Sequence, residues 1–192
     1  MRKAWIIIFL FAGCAKLHKY HPMPWVVGQW VSYEVNGEPL KVSLVGKDSS
    51  GFWLETVGPE AIVKMLVERG EAQPKRCDLK RLIVKPLGDL PIEFSLDEFG
   101  VKSELLSIKM DSSMNFKEEI FTLPCGKLRV FHTTQEGSDI WVSGKVPIFG
   151  VVKYKSNDNL IVLCDYGIKG AESEIKQQPE VANFIIGGII SK

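Results

Sequence analysis

The residues of this sequence best suited to covalent or acid–base chemistry are its cysteines and histidines. They are Cys14, Cys77, Cys125, Cys164, His18, His21 and His132. They form no Cys-x-x-Cys pair and no cysteine–histidine cluster with the spacing of a zinc site. The sequence therefore predicts neither a metal site nor a cofactor.

Catalysis by a cysteine would require a histidine base within hydrogen-bonding reach and a third group that orients the base. His132 lies in a predicted strand, where a single histidine is more often structural than catalytic, and no spacing brings Cys77 or Cys125 to it. His18 and His21 belong to a polar segment, so we expect them to be solvated.

Paired carboxylates, another common catalytic arrangement, occur at Asp97-Glu98 and Glu118-Glu119. Adjacent residues of a strand point to opposite faces of a sheet, so neither pair makes a shared acid–base site by itself. The Gly-x-Ser-x-Gly, His-Glu-x-x-His and phosphate-loop motifs are also missing from the sequence. We therefore predict that the protein is not an enzyme, and a hydrolase with an unrecognised site is the less favoured alternative.

Two tryptophan-bearing strands supply the candidates for ligand binding, which are Trp53, Glu55 and Trp141. A tryptophan combines a large apolar surface with a polar edge, and this combination suits a groove that holds a ligand. The same side chain also suits the core of a sheet protein. Both interpretations stay open at this stage.

Cys14 is placed for lipid attachment. Residues 1–3 are positively charged at Arg2 and Lys3, and residues 4–12 form an apolar run. This is the pattern of a signal peptide, and the run is far shorter than the roughly 20 residues of a membrane-spanning helix. The following residues, Phe11-Ala12-Gly13-Cys14, resemble the bacterial lipobox, although Phe11 replaces its usual aliphatic residue.

The lipobox resemblance implies cleavage before Cys14, attachment of two palmitate-type acyl chains to this cysteine through its thiol, and residence in the bacterial cell envelope. Two acyl chains give stable membrane anchoring, whereas one is marginal. Ala15 is not the aspartate that retains many lipoproteins at the inner membrane, so the resemblance implies the outer membrane, facing the periplasm.

The predicted domain organisation is a signal peptide at residues 1–13, a lipidated cysteine and linker at 14–27, and one β-rich domain at 28–192. The remaining length suits a single domain. The sequence has 24 basic and 23 acidic residues, a formal net charge of +1. This balance argues against a nucleic-acid partner, which would require a basic excess.

Acylation of Cys14 would leave three cysteines, which allow one disulfide and one free thiol. Cys77 falls in a predicted polar loop, and Cys125 lies between Pro124 and Gly126 in a predicted turn. We predict Cys77–Cys125 as the candidate disulfide. Cys164 falls in an apolar strand and is expected to be a small buried side chain.

Short strands separated by turn signals dominate residues 28–168. Gln29–Val35 alternates polar and apolar residues, and Asn36-Gly37 is a strong hairpin signal. We predict an all-β fold of about ten or eleven strands with at most one short helix: a curved antiparallel sheet, a half-barrel or a sandwich. Asp139–Val146 is one predicted strand, and Ser103–Met110 fits either a strand or a helix. The apolar segment 181–190 is predicted to dock on the core or to contact an apolar groove or lipid.

Two stretches carry a family resemblance. Ile140–Lys153 contains Trp-Val-Ser followed by Val-Pro-x-x-Gly-x-Val-Lys, after a Pro-x-Gly hairpin at 124–126, and Phe52–Glu55 precedes Val63–Val67. This pattern resembles an uncharacterised family of bacterial envelope lipoproteins over most of residues 28–168. Pro147 and Gly150 would form a sharp corner between two strands. The family implies no catalytic residue.

The layout is more distantly similar to the outer-membrane lipoprotein carriers, whose curved sheets hold acyl chains. That similarity concerns the fold alone. The sequence thus predicts a non-enzymatic envelope lipoprotein that binds the membrane through its anchor and also binds an apolar small molecule or an envelope protein. A structural or assembly lipoprotein with a filled core and no ligand is the alternative.

Overall fold

A computed structural model of the chain describes residues 22–69, 77–94, 116–135 and 137–181, without the side chains of residues 69, 77 and 78. The predicted signal peptide, Cys14, Asp97-Glu98 and Ser103–Met110 lie outside the described residues. So do His18, His21 and almost all of the apolar segment 181–190.

The described residues form twelve strands and no helix. The strands are β1 (Trp30–Val35), β2 (Glu38–Asp48), β3 (Gly51–Val57), β4 (Ala61–Arg69), β5 (Cys77–Pro86), β6 (Ile92–Phe94), β7 (Lys117–Leu123), β8 (Gly126–Gln135), β9 (Ser138–Val142), β10 (Val151–Lys155), β11 (Leu160–Gly167) and β12 (Glu180–Val181).

All twelve strands belong to one open, curved sheet, in the order β12-β6-β5-β4-β3-β2-β1-β11-β10-β9-β8-β7. Strands that are consecutive in the chain are paired, except β6 with β7 and β11 with β12, and the antiparallel β1–β11 pair joins the two halves of the chain. Only β12 runs parallel to its neighbour, β6. The predicted all-β, curved antiparallel sheet is therefore confirmed.

The turn residues set the register of the sheet. Asn36 and Gly37 have φ values of 51° and 89°, as a two-residue hairpin with matching twist requires. Val35 consequently faces Glu38, and every inward residue of β1 faces an inward residue of β2. This hairpin was predicted correctly because its cause is local.

We call the side of the sheet that carries the main core the inner face and the opposite side the outer face. Inward residues include Val31, Leu44, Leu54, Val130 and Leu163, all with a relative exposure of 0%. Burying one valine or leucine side chain contributes about 1.5–3 kcal/mol. The inner face therefore supplies most of the hydrophobic stabilisation.

The middle of the inner face is covered by the chain itself. Trp25 packs edge-on against Phe52 and Phe149, with ring centroids 5.6 and 6.2 Å apart, and its Nε1 donates a 2.7 Å hydrogen bond to the carbonyl of Ile148. Trp25, which the sequence analysis assigned to the linker, is thus part of the core.

The loop between β9 and β10 provides the rest of this cover. The predicted strand Asp139–Val146 ends at Val142, because the backbone N–H of Ser143 bonds the carbonyl of Gly150 and closes a corner. Val146 is buried inside that corner. Gly150 has a φ of 71°, so the predicted corner at Pro147 and Gly150 is confirmed.

Cys77 begins strand β5 and pairs with Arg69, so its prediction as a loop residue was wrong. The polar sequence before it suggested a longer loop, whereas pairing with β4 extends the strand. No helix in the described part of the chain is long and apolar enough to span a membrane.

Candidate functional site

The structure separates the candidate residues into two places. Trp53 and Glu55 lie two residues apart on β3 and share the outer face, opposite the inward Leu54. Trp141 lies on β9 and belongs to the inner-face core. The three residues therefore do not form one site.

Glu55 is covered by residues 170–179, which we call the C-terminal strap. The strap begins where the backbone N–H of Ala171 bonds the carbonyl of Gly28, and after it the N–H of Glu180 bonds the carbonyl of Pro91. Between these points it crosses the outer face of β3 to β5. Ile175 is its apolar anchor and packs with Ile62 and Ile83.

The strap donates one hydrogen bond to each oxygen of the Glu55 carboxylate. Its Oε2 accepts a 2.6 Å hydrogen bond from the Ser173 hydroxyl, and its Oε1 accepts a 2.7 Å bond from the backbone N–H of Glu174. The Ser173 oxygen in turn accepts a 2.9 Å bond from Lys64 Nζ. Glu55 is only 1% exposed, so these bonds replace the water that the carboxylate loses on burial.

Trp53 is held beside the strap by charged neighbours. Its Nε1 donates to Asp48 at 3.1 Å, and Lys64 Nζ lies 5.4 Å from its ring centroid. The Arg81 guanidinium, 5.0 Å from the same centroid, forms a bidentate pair with Glu93 at 2.6 and 2.8 Å. This hydrogen-bonded pair lowers the pKa of the Glu93 carboxyl and raises that of Arg81.

A ligand at Glu55 would have to replace two hydrogen bonds that the chain already supplies. The interpretation of Glu55 as a ligand contact therefore gives way to a structural one, in which the carboxylate fixes the strap. Ser173 and Lys64, the other members of this network, have no signal in the sequence, because they lie 118 and 9 positions from Glu55 in the chain.

The second place is a cluster around Trp141 on the inner face of β7 to β10, which we call the Trp141 cluster. His132 stacks on the indole with centroids 4.2 Å apart and an interplanar angle of 8°. The ring centroid of Phe121, on β7, is 5.7 Å from that of Trp141, and Lys153 Nζ on β10 is 5.0 Å from the indole centroid. The indole Nε1 donates to Glu119 at 3.3 Å.

Two carboxylates flank the His132 ring. Nδ1 is 3.5 Å from Glu119 Oε1, and Nε2 is 3.1 Å from Asp139 Oδ1. Asp139 also accepts a 2.7 Å bond from the Thr134 hydroxyl. Register places these residues together, because β8 pairs His132 with Lys117 of β7 and with Trp141 of β9.

The hydrogen bonds that Glu119 and Asp139 accept stabilise the charged form of each carboxyl group over the protonated form. The pKa of Glu119 is lowered chiefly by its hydrogen bond with Lys117, and that of Asp139 chiefly by its bond with Thr134 and then by His132. The side chains of His132, Glu119 and Asp139 keep exposures of 22%, 25% and 37%. In contrast to Glu55, the polar part of this cluster is therefore open to solvent.

In the Trp141 cluster, His132 is not placed as a base beside a nucleophilic hydroxyl or thiol. Both His132 nitrogens face carboxylates, so neither is directed at a hydroxyl or a thiol. Cys125 lies in the β7–β8 turn, seven positions along the chain from His132, or roughly 20 Å of extended strand.

Glu118 and Glu119 point to opposite faces as predicted, with Glu118 paired to Arg129. Among the described residues, no group of three histidine, cysteine, aspartate or glutamate side chains could hold a metal ion.

Neither Cys125 nor Cys164 is bridged to another side chain that the structure describes. Cys125 lies in its predicted turn, and Cys164 lies in β11 and is half-buried, less than predicted. Burial is the main cause that raises the pKa of both thiols. The Cys77 side chain is outside the described residues, so the Cys77–Cys125 disulfide stays a prediction.

Comparison of the chain with protein-family models, with curated proteins and with solved structures found no match. The resemblance to envelope lipoproteins therefore remains a prediction from the sequence. The argument for function depends on the geometry of this chain.

Proposed function

We propose that this protein is an exported lipoprotein, anchored in the bacterial envelope by acylated Cys14, that binds an apolar ligand at the Trp141 cluster without catalysing a reaction. The anchor is proposed from the basic, apolar and cysteine sequence of residues 1–14. The observation that carries ligand binding is the pair of partly exposed rings, Phe121 and His132, that packs against the buried Trp141 on the inner face.

The contrast with Glu55 supports the choice of this site. The chain's own strap already contacts the Glu55 carboxylate, whereas Phe121 is half-buried and His132 keeps 22% of its side-chain exposure. Aromatic rings beside a few oriented polar groups are typical of small-molecule sites. The carboxylates and Lys153 would orient a polar head group while Phe121 contacts the apolar part.

A structural or assembly lipoprotein is the second candidate. It is favoured by the cover of the inner face, where Trp25, Val146, Ile148 and Phe149 are all at most 9% exposed. A protein of this kind would have a filled core and no ligand. The two candidates differ in whether a ligand copurifies with the protein.

The anchor is tested by Cys14→Ser. We expect the wild type, but not the variant, to incorporate an alkyne-labelled palmitate and to resist a salt wash of host membranes. A variant that stays salt-resistant and a wild type without label would together contradict anchoring by acylation.

Ligand binding is tested by native mass spectrometry with lipid extraction on the protein purified from its own host. We expect an additional apolar mass at fixed stoichiometry in the wild type and its loss in Phe121→Ser. Ile120→Ser is the matched control, because Ile120 precedes Phe121 on β7 but is 73% exposed on the other face. A wild type without bound mass, unchanged by incubation with host lipid extract, would favour the structural role instead.

A further inference from the structure

The strand ends divide the sheet into two rims, and both rims expose apolar side chains. The tether rim is the end at which β1 begins, and the described chain enters there through Val26 and Val27. The opposite rim contains the Asn36-Gly37 hairpin. The antiparallel order places the end of β2, the end of β11 and the loop between β9 and β10 at the tether rim.

Apolar side chains are exposed on the tether rim. Val26, Val27 and Ile168 have exposures of 52%, 43% and 59%. Their two segments are in contact, because a Cβ on Gly28 would be 3.4 Å from the Cα of Lys169 and the Gly28 carbonyl bonds the N–H of Ala171. The three side chains therefore belong to one region beside the point of chain entry.

Exposed lysines are concentrated in the turns and strand ends of the tether rim, and exposed acids are concentrated in the turns of the opposite rim, where Lys117 and Lys155 are also exposed. Exposed lysines on the tether rim are Lys47, Lys127, Lys145 and Lys169. Exposed acids in the turns of the opposite rim are Glu38, Glu60, Asp89 and Asp158. Four acids lie nearest the tether rim, and each has a partner: Asp48 accepts hydrogen bonds from two backbone N–H groups and Trp53, Glu68 pairs with Lys80 at 2.6 Å, Asp165 accepts a hydrogen bond from the N–H of Tyr166, and Glu172 pairs with Lys176 at 3.3 Å.

The chain that precedes the tether rim is short. About eleven residues separate Cys14 from the buried Trp25, and at 3.3–3.6 Å per residue they span at most about 40 Å. If Cys14 is lipidated, the tether rim is the part of the domain nearest the anchor. Exposed valines and isoleucine with surrounding lysines suit the boundary between lipid head groups and acyl chains.

We propose that the tether rim rests on an anionic phospholipid surface, with Val26, Val27 and Ile168 at the head-group boundary and the four lysines against phosphate groups. This orientation rests on the proposed acyl anchor and deepens it. It leaves the acidic opposite rim directed away from the membrane.

The test uses the full-chain lipoprotein from host membranes, reconstituted in vesicles of phosphatidylethanolamine and phosphatidylglycerol. Lysines are labelled with a membrane-impermeant acylating reagent and quantified individually by mass spectrometry. We expect labelling of Lys47, Lys127, Lys145 and Lys169 to fall about fivefold relative to detergent, the factor equivalent to ~1 kcal/mol per lysine at an anionic surface. Lys155, near the opposite rim, is the internal control.

Val27→Asp with Ile168→Asp should remove this protection, while Leu87→Asp with Leu90→Asp, on the opposite rim, should keep it. Equal labelling of both rims in protein that floats with the vesicles would overturn the orientation and leave the anchor intact. Protein that lacks an acyl mass on Cys14 and does not float would instead overturn the anchor. Protection in host membranes but not in pure lipid vesicles would assign the rim to a protein partner and overturn the lipid surface.

Discussion

The Glu55 site and the Trp141 cluster start from the same sequence signal and end in opposite environments. Each combines a tryptophan with a carboxylate two residues away on the same strand, Glu55 beside Trp53 on β3 and Asp139 beside Trp141 on β9. At Glu55 the chain returns 118 residues later and satisfies the carboxylate with Ser173 and Glu174. In the Trp141 cluster, Glu119 and Asp139 both face His132 on the strand between them, and they remain partly exposed.

This difference separates two roles for polar residues in a sheet. A fully buried carboxylate must be hydrogen-bonded, and here its partners come from a segment that has no regular structure of its own. Partly exposed carboxylates cost little and stay accessible to other molecules. The outer site therefore fixes the strap on the sheet, whereas the inner site keeps exposed polar groups, and this is why the proposed ligand is assigned to it.

The largest expected difference is in stability. Glu55→Ala leaves the Glu174 N–H without its acceptor and the Ser173 hydroxyl with only the Ile175 carbonyl, at a partly buried place, and we expect the free energy of unfolding to fall by about 3 kcal/mol. Glu119→Ala should have a much smaller effect, since its partners can turn to water. Urea denaturation of both variants measures this comparison, and equal losses would remove the distinction between the sites.

The contribution of the strap to stability can be tested by removing one backbone hydrogen-bond donor. Glu174→Pro removes the N–H that bonds Glu55, and we expect a loss of about 2 kcal/mol in the free energy of unfolding. Glu174→Ala is the matched control, because the Glu174 side chain is exposed and the N–H is retained. If the alanine variant lost as much stability as the proline variant, the side chain rather than the hydrogen bond would be responsible.

The smallest expected effect is electrostatic and concerns the Trp141 cluster. Thr134→Val removes the main cause of the lowered pKa of Asp139, so that pKa should rise towards its ordinary value of 3.8. Carboxyl NMR titration measures the change, and Thr122→Val on β7 serves as a control. An unchanged Asp139 titration would show that the Thr134 hydroxyl does not stabilise the carboxylate.

The sign of the linked stability follows from the direction of the shift. Asp139 and Glu119 have lowered pKa values in the folded protein, so their contribution to stability is present above the unfolded values near 4 and is lost as the pH falls through the folded values. The stability difference between wild type and Asp139→Asn should accordingly shrink on acidification below pH 4. A difference that grew instead would contradict the lowered pKa.

The sequence predicted the elements well wherever their causes were local. Alternation predicted β1, and Asn36-Gly37 predicted the first hairpin, because residues two apart share a face and positive φ values favour these turn residues. The end of β9 was predicted four residues too late. Val146 is apolar like a strand residue, but it is buried by a corner whose closing bond joins Ser143 to Gly150.

Of the site residues, the sequence indicated Trp53, Glu55 and Trp141 but could not say that they lie apart. It treated His132 as a lone structural residue and did not connect it with Glu119 and Asp139. The register of three strands makes that connection. Pairing registers depend on turns and bulges across the whole sheet, so no spacing in the chain reveals them.

The sequence by itself determined the all-β class, the turn positions and the candidate anchor at Cys14, because each depends on residues that are neighbours in the chain. Only the tertiary structure decided which polar residues are buried under other parts of the chain and which remain exposed to solvent. Burial of Glu55 depends on a strap that is distant in sequence, and the concentration of exposed lysines at one rim and of exposed acids at the other depends on strand direction. A net charge of +1 gives no sign of that distribution.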